Sequence, residues 1–295
     1  AGKIFSAGEG FATPTLYYCS DDVDDIDTWS PPAGVQGFVV KAVGLHSSRG
    51  VYVMATGFGG TELFSKVSMG RADIKTALVA LGATKFIIEE YVGGNGGDLP
   101  DEYKIHMFNG EVGSIIYTTN RGSNCECFAE LDADWNRVDS NGCFRSSGES
   151  GTDGQCTRID FESGSLQTMK ELDFCTSTPA KPTNLAEILS QAKAISQRIG
   201  VYMRIDMMVS ASGEVMVGEF TPGHTNGRVH CSSKIDANGC VDSCFLGRLW
   251  NTSVSESGGD LVHGGSPKGT PNALNSWDEG SWMDRCAAFL ASATA

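Results

Sequence analysis

Three pairs of β-type segments, each joined by a short turn, constrain the fold of this chain more than any other sequence feature. In each pair, apolar and β-branched residues flank glycine, asparagine or serine, a pattern typical of β-hairpins. The pairs are 37–43 with 51–55, 103–108 with 112–117, and 201–210 with 214–220. Asn109-Gly110, in the second pair, is the strongest short hairpin signal in the chain. Because hairpin strands run antiparallel, we expect antiparallel sheets.

Two helices accompany the predicted strands. Segment 185–199 places apolar residues on one face at helical spacing, with Asn184 as N-cap, Glu187 in the first turn and Gly200 at its end. Asp73 is positioned to cap a second helix through Leu81, and a further strand is predicted at 86–92. Helices combined with antiparallel hairpins predict an α+β fold.

Charge and hydropathy exclude several classes of partner. The 295 residues carry 22 basic and 36 acidic side chains, a net charge of −14, without a run of Lys or Arg. Nucleic-acid binding needs clustered positive charge, so we expect no nucleic-acid partner. No apolar stretch approaches the ~20 residues of a membrane helix, so we expect no membrane partner either. Charge and hydropathy therefore exclude these two classes of partner, and a small-molecule substrate stays open.

Ten cysteines indicate the compartment. An even number without a CxxC motif favours disulfides formed in an oxidising environment. A zinc site is the alternative, with His230, Cys231, Cys240 and Cys244 as ligands. Asn251-Thr252-Ser253 is the single N-glycosylation sequon, which predicts an N-glycan at Asn251. We therefore expect a secreted, extracellular protein.

The last hairpin brings two carboxylates face to face. With Ser212-Gly213 as a two-residue turn, Ala211 pairs with Glu214, and Asp206 then lies opposite Glu219. Two like charges at facing positions destabilise a sheet, unless a cation, a shared proton or water compensates. Oxygen ligands suit Mg²⁺ or Mn²⁺, and Arg204 shares the face. A solvated surface hairpin is the alternative to a metal site.

Six motifs in one order resemble the ATP-grasp superfamily, most closely its TupA-like branch. The matching residues are Lys3 before Pro14-Thr15-Leu16-Tyr17-Tyr18, Phe38-Val39-Val40-Lys41 with His46-Ser47-Ser48, Ile88-Glu89-Glu90-Tyr91-Val92, Tyr103-Lys104 with Asn109-Gly110, Arg204-Ile205-Asp206, and Gly218-Glu219-Phe220-Thr221-Pro222-Gly223. Thr221 stands where the family has a metal-binding asparagine.

The resemblance implies an ATP-grasp-like α+β fold. Two α/β subdomains with antiparallel sheets would enclose a cleft, and disulfides would stabilise them. The first subdomain would span 1–92, with the phosphate loop and the hinge strand. The second would span 93–250, with a cysteine-rich insertion at 120–180 and the metal hairpin at 201–222. Residues 251–295 would form a C-terminal tail.

The resemblance also implies roles for individual side chains. Asp206 and Glu219 would hold Mg²⁺ or Mn²⁺, while Arg204, Lys41 and Lys104 would act in catalysis. The residues expected to bind ATP are Lys3, Lys41, His46, Ser48, Glu89, Glu90, Tyr91 and Val92. The usual chemistry of the superfamily is activation of a carboxylate as an acyl phosphate, followed by attack of an amine or similar nucleophile.

Two other functions remain open at this point, because a secreted chain is unusual for this superfamily. The first is a secreted oxidative enzyme on a repurposed ATP-grasp fold, such as a luciferase of the kind secreted by marine worms, acting on a small heteroaromatic molecule with O₂. The second is an inactive binding protein. Either would keep the cleft while changing its ligand.

Overall fold

The computed structural model describes residues 6–45, 48–94, 99–119, 121, 127–137, 178–200, 202–221 and 290. The chain divides into two compact units. The N-terminal unit contains the described residues from Thr13 to Leu99. The C-terminal unit contains residues 6–12 together with the described residues from Pro100 to Thr221.

A four-stranded antiparallel sheet forms the N-terminal unit, in the order β1-β4-β2-β3. Its strands are β1 Leu16–Ser20, β2 Phe38–Ala42, β3 Val51–Met54 and β4 Phe86–Glu90. Helix α1 (Arg71–Ala80) and a 3₁₀ helix (Val23–Asp27) pack their buried residues against one sheet face, formed by Phe38, Val40, Met54, Phe86 and Ile88. The predicted hairpin of β2 and β3 is confirmed, and the predicted strand 86–92 ends at Glu90.

The start of α1 differs from the prediction. Gly70 is the N-cap, and Asp73 is the third helical residue rather than the cap. The Asp73 carboxylate accepts the backbone N–H of Gly70 at 2.7 Å. An acid at this position satisfies one of the exposed N–H groups at the helix start, so it marks a beginning three residues upstream of itself.

A five-stranded antiparallel sheet forms the C-terminal unit, in the order β7-β6-β5-β8-β9. Its strands are β5 Glu102–Phe108, β6 Glu111–Thr119, β7 Cys127–Leu131, β8 Met203–Val209 and β9 Val215–Thr221. The predicted turn at Asn109-Gly110 is confirmed, with φ of 48° and 91°. Strand β7 is missing from the prediction, because the cysteine-, glycine- and serine-rich region around it shows little periodicity.

Helix α2 (Leu185–Ile199) packs against β5, β6 and β8 and has the predicted bounds. Its buried face and the odd-numbered residues of β5 and β8 form one apolar core. Gly200 ends the helix in the left-handed conformation, at φ 72°. Asn184 is the N-cap as predicted, but its side chain makes no capping hydrogen bond. Core burial, rather than side-chain capping, is therefore what determines where α2 begins.

Two of the ten cysteines lie among the described residues, Cys19 and Cys127, and both are disulfide-bonded. The other eight cysteines, His230 and Asn251 lie outside the described residues. The zinc alternative and the N-glycan therefore stay predictions. The disulfide pairing stays a prediction. Among the described helices, none has the length and apolar character needed to span a membrane.

Two glycines of the loop between β2 and β3 test how tightly this loop is packed. Gly44 and Gly50 have φ of 86° and 72°. A Cβ on Gly50 would lie 2.7 Å from the Ala42 Cβ, whereas one on Gly44 would meet open space. We expect Gly44→Ala to cost about 1 kcal/mol of unfolding free energy, from backbone strain alone. Gly50→Ala adds overpacking and should cost roughly 2 kcal/mol or more, as measured by urea unfolding. Equal losses would contradict the packing argument.

Candidate functional site

The five-stranded sheet carries its charged residues on the face opposite α2. Because side chains alternate along a strand, the even-numbered residues of β5 and β8 point away from the apolar core. Lys104 on β5 lies opposite Asp206 on β8, which lies opposite Glu219 on β9. The sequence-predicted pairing of Asp206 with Glu219 is confirmed, and the structure adds Lys104 to the same row.

The turn that produces this pairing is not the predicted one. Ser210 donates its N–H to the Glu214 carbonyl at 2.9 Å, so three residues rather than two form the turn. Gly213 occupies the left-handed position there, at φ 87°. Pairing would then be displaced by one residue, but a β-bulge at Gly218 restores it. A Cβ on Gly218 would lie 2.6 Å from the Met208 Cε and 3.2 Å from the Asp206 carbonyl oxygen, and of these only the flexible methionine side chain can move aside.

The Asp206 carboxylate is 2% exposed and is held by two basic side chains. Arg204 donates from Nε to Oδ1 and from Nη2 to Oδ2, each at 2.6 Å. Lys104 Nζ lies 3.7 Å from Oδ2. Arg204 reaches Asp206 because the two residues are two positions apart on one strand and so share a face. The result is a forked, charge-assisted pair of hydrogen bonds in a poorly hydrated place.

Glu102 and Arg121 extend the charged face. Lys104 forms an ion pair with Glu102, and Arg121 Nη1 lies 3.0 Å from the Glu102 carboxylate. Three carboxylates and three cations are thus clustered around β5 and β8, counting the exposed Glu219 on β9. Glu130 on β7 is a fourth carboxylate on the same face, because it lies opposite Ile116, which lies opposite Lys104. Sequence reasoning missed Glu102 and Arg121. The position of Glu102, two residues before Lys104 on the same strand, could have revealed it, whereas Arg121 carries no sequence signal.

The pKa values of the two buried carboxylates are shifted in opposite directions by the combined effect of burial and neighbouring charges. Burial raises the pKa of Asp206 to about 6, although Lys104 and Arg204 act against it. Burial also raises the pKa of Glu102, but Arg121 and Lys104 outweigh it and lower that pKa to about 2. The charge of Asp206 is thus the less completely compensated of the two, and it would gain more from an additional cation.

The donors fit a hard divalent cation. Asp206 and Glu219 present carboxylate oxygens at facing positions, and Mg²⁺ is commonly held by one or two carboxylates with water and phosphate completing its shell. Thr221, two residues beyond Glu219, lies opposite Arg204 and so faces the same side. In the part of the chain that the structure describes, no group of three His, Cys, Asp or Glu side chains is arranged to hold a metal.

A histidine and a tyrosine lie beside the charged row. His106 is opposite Arg204 on the sheet and only 1% exposed. Its Nδ1 is hydrogen-bonded to the Tyr202 hydroxyl at 2.9 Å, which fixes the plane of the ring. Phe108 packs against Tyr202 with ring centroids 4.9 Å apart. Sequence reasoning missed Tyr202, which is buried just before β8.

The N-terminal unit contains a second buried ion pair. Lys41 on β2 and Glu89 on β4 are diagonal neighbours on the sheet face opposite α1. Lys41 Nζ lies 2.5 Å from the Glu89 carboxylate, with the side chains 27% and 2% exposed. The lysine inside an apolar strand, which the sequence singled out, therefore has a charged partner.

The other residues that the sequence predicts to bind the nucleotide are Glu90, Tyr91, Val92, Ser48, Lys3 and His46. Glu90 accepts hydrogen bonds from the backbone N–H and hydroxyl of Thr15, at 3.0 and 2.9 Å, and so ties the start of β1 to β4. Tyr91 and the buried Val92 follow the end of β4, and Ser48 is exposed with φ 57°. Lys3 and His46 lie outside the described residues.

Structural comparison places the chain near several ligases. It is similar to the ATP-grasp ligase PsnB complexed with minimal precursor, with a TM-score of 0.41 and 10% identity over 86% of this chain and 58% of that one. For D-alanine–D-alanine ligase from Bacillus anthracis the TM-score is 0.43 and the identity 21%, over 86% and 66% of the two chains. For D-alanyl-alanine synthetase A from Vibrio cholerae O1 biovar eltor the values are 0.40 and 14%, over 86% and 64%.

The chain spans less than two thirds of the length of each of these three structures. Sequence comparison adds nothing to them, since no family model and no curated protein matches the chain.

The Lys41–Glu89 pair should respond asymmetrically to mutation. Lys41→Met leaves the Glu89 carboxylate buried without the lysine charge, which should cost about 3 kcal/mol of unfolding free energy. Glu89→Gln leaves a partly exposed lysine that extends to water, so we expect a loss of about 1 kcal/mol. The double variant should be more stable than Lys41→Met alone when measured by urea unfolding. Equal effects of the two single changes would argue against the pairing.

The lowered pKa of Glu102 predicts an acid-dependent loss of stability. Its pKa falls from 4.5 to about 2 on folding, so its stabilisation is complete above pH 4.5 and disappears as the pH falls toward 2. We expect wild type to exceed Glu102→Gln by on the order of 2 kcal/mol near neutral pH, and by progressively less below pH 4.5. The exposed Glu111, changed to Gln, serves as a control with a small difference at every pH. A Glu102→Gln difference that does not change with pH would refute the assignment.

Proposed function

We propose that this protein is a Mg²⁺-dependent, ATP-using enzyme of the ATP-grasp kind, with ligase-type chemistry. One observation carries the proposal: Asp206 and Glu219 face each other on a sheet surface that also holds Lys104 and Arg204. Two facing carboxylates can bind a divalent cation, and the positively charged Lys104 and Arg204 beside them can bind phosphate oxygens. The face therefore suits a polyphosphate with a bound metal ion. The order of the sequence motifs supports the same function.

Five charged residues of the face have a role under this proposal. Asp206 and Glu219 would hold Mg²⁺ through their carboxylate oxygens, and the ion would offset the negative charge of the phosphates. Lys104 and Arg204 would donate hydrogen bonds to phosphoryl oxygens. Glu102 holds the Lys104 ammonium in place on the sheet, so Lys104 needs little reorganisation as charge develops there.

Further nucleotide contacts in this proposal follow from the sequence motifs. Lys3 and Lys41 act as point charges on the phosphates, and the loop containing His46 and Ser48 donates backbone N–H groups. The segment after β4, with Tyr91 and Val92, contacts the adenine ring. Glu89 keeps the Lys41 ammonium at a fixed position through their ion pair.

We further propose that the protein is secreted. The disulfide-bonded state of Cys19 and Cys127 supports this, because disulfides form and persist in oxidising compartments.

The substrate under this proposal is a small molecule with a carboxylate, activated as an acyl phosphate and transferred to a nucleophile. In the described ranges, no residue arrangement specifically favours the oxidative enzyme or the inactive binding protein. A ligase and an oxidase would differ in the first measurement below, because only the ligase needs a nucleotide.

Calorimetric titration with ATP and Mg²⁺, separately and together, tests the proposal. We expect ATP to bind with Mg²⁺ present and much more weakly without it. Asp206→Asn should weaken Mg²⁺-dependent ATP binding by tenfold or more, because the charged hydrogen-bonding and metal-binding group is lost, about 1.4 kcal/mol per tenfold. Glu130→Gln is the matched control, since Glu130 is also a buried carboxylate on this sheet but lies on β7.

Absence of ATP binding at millimolar concentration, with Mg²⁺ present and the protein folded, would overturn the ligase function. Binding of Mg²⁺ without any nucleotide binding would point instead to a repurposed site. Equal effects of Asp206→Asn and Glu130→Gln would refute the placement of the metal on β8 and β9.

A further inference from the structure

Arg204 occupies the same oxygens that a cation would need. Its guanidinium donates to both Oδ1 and Oδ2 of Asp206, at 2.6 Å each. A divalent ion on this carboxylate would bind one or both oxygens at a similarly short distance. Two positive groups that share an oxygen at such distances repel each other strongly, the more so where the carboxylate is 2% exposed.

Lys104 is placed differently from Arg204. Its ammonium forms an ion pair with Glu102 and lies 3.7 Å from Asp206, so it can keep its position when a cation arrives. Arg204 is the side chain whose hydrogen bonds to Asp206 conflict with the cation. Leaving Asp206 removes a forked pair of charge-assisted hydrogen bonds from the guanidinium, which then needs another acceptor.

The charge of the face indicates what that acceptor is. Glu102, Asp206 and Glu219 balance Lys104, Arg121 and Arg204, and Glu130, on the same face two strands from Lys104, adds one negative charge. A divalent cation therefore leaves this face with an excess of positive charge. An anion with several oxygens offsets that excess, and a phosphoryl group matches the planar guanidinium fork. Displacement of Arg204 and binding of such an anion therefore favour each other.

We propose that Arg204 exchanges partners: a divalent cation displaces it from Asp206, and the released guanidinium then binds a phosphoryl anion. This rests on the proposed metal site of Asp206 and Glu219. It adds that Arg204 opposes the cation when no anion is present and couples the two ligands when both are. The bound cation then raises the affinity for the anion by some factor. By thermodynamic linkage, the bound anion raises the affinity for the cation by the same factor.

Nuclear magnetic resonance of the wild-type protein tests the first step directly. The Arg204 Nε–H signal is assigned by its loss in Arg204→Lys, and its solvent exchange is followed during titration with Mg²⁺ alone. We expect slow exchange before Mg²⁺ and fast exchange with a shifted signal afterwards. The Arg121 Nε–H signal is the control within the same cluster and should keep its position, because Arg121 pairs with Glu102.

Calorimetry with Mg²⁺ and inorganic phosphate tests the coupling. Arg204→Met should raise the affinity for Mg²⁺ alone by about tenfold, because the competing hydrogen bonds to a charged group are gone. Phosphate should raise Mg²⁺ affinity in wild type and in Arg121→Met, but not in Arg204→Met. Arg121→Met is the matched control, since it also removes one positive charge from the cluster but Arg121 pairs with Glu102.

The outcomes separate the exchange from the metal site itself. Mg²⁺ binding that leaves the Arg204 signal unchanged overturns the exchange and leaves the proposed function standing. Equal coupling to phosphate in Arg204→Met and Arg121→Met also overturns it, because general charge would then explain the effect. No heat of Mg²⁺ binding in wild type overturns the proposed metal site, and the exchange with it. If Arg204→Met does not fold, the wild-type resonance experiment still decides.

Discussion

Alternation of side chains across the five-stranded sheet is the constraint on which the C-terminal unit depends. The odd-numbered residues of β5 and β8 are committed to the apolar core beneath α2, which leaves the even-numbered residues on the opposite face. Every charged residue discussed for β5 and β8 belongs to that second set. A shift of either strand by one residue would place Lys104 and Asp206 in the core and expose its apolar residues. The core under α2 therefore holds the charged row in register.

Both units solve the same electrostatic problem in the same way. In each, a carboxylate that is 2% exposed accepts from a basic side chain on the same sheet: Asp206 from Arg204, and Glu89 from Lys41. The bases retain some contact with solvent while the acids do not. The buried acid is thus the member of each pair that depends on its partner. Such pairs contribute little net stability, and their value lies in holding charge at a defined place on a rigid sheet.

Sequence patterns predicted the fold best where a single local rule determines the structure. The bounds of α2 and the turn at Asn109-Gly110 follow from apolar spacing and from the backbone freedom of Asn and Gly. Prediction failed where a distant part of the chain decides. Strand β7 is an example, since it forms because β6 offers it an edge. The start of α1 was missed for a local reason, because Asp73 serves as a first-turn acid rather than as the N-cap. The opposition of Asp206 and Glu219 was predicted correctly from an incorrect turn, while Glu102 and Arg121 required the folded sheet to be recognised.

The hairpin of β8 and β9 contains a three-residue turn and a bulge at Gly218, and these two irregularities have a joint consequence for how its length can change. A regular hairpin with a two-residue turn would use the same number of residues between Asp206 and Glu219. Insertion or deletion of one residue therefore keeps the two acids opposite each other only where the turn or the bulge absorbs it, because the strand residues beside the acids must keep their pairing. Related chains that keep this carboxylate pair should differ in the length of the turn or in the presence of the bulge glycine, and not in the pairing of the strand residues beside the two acids.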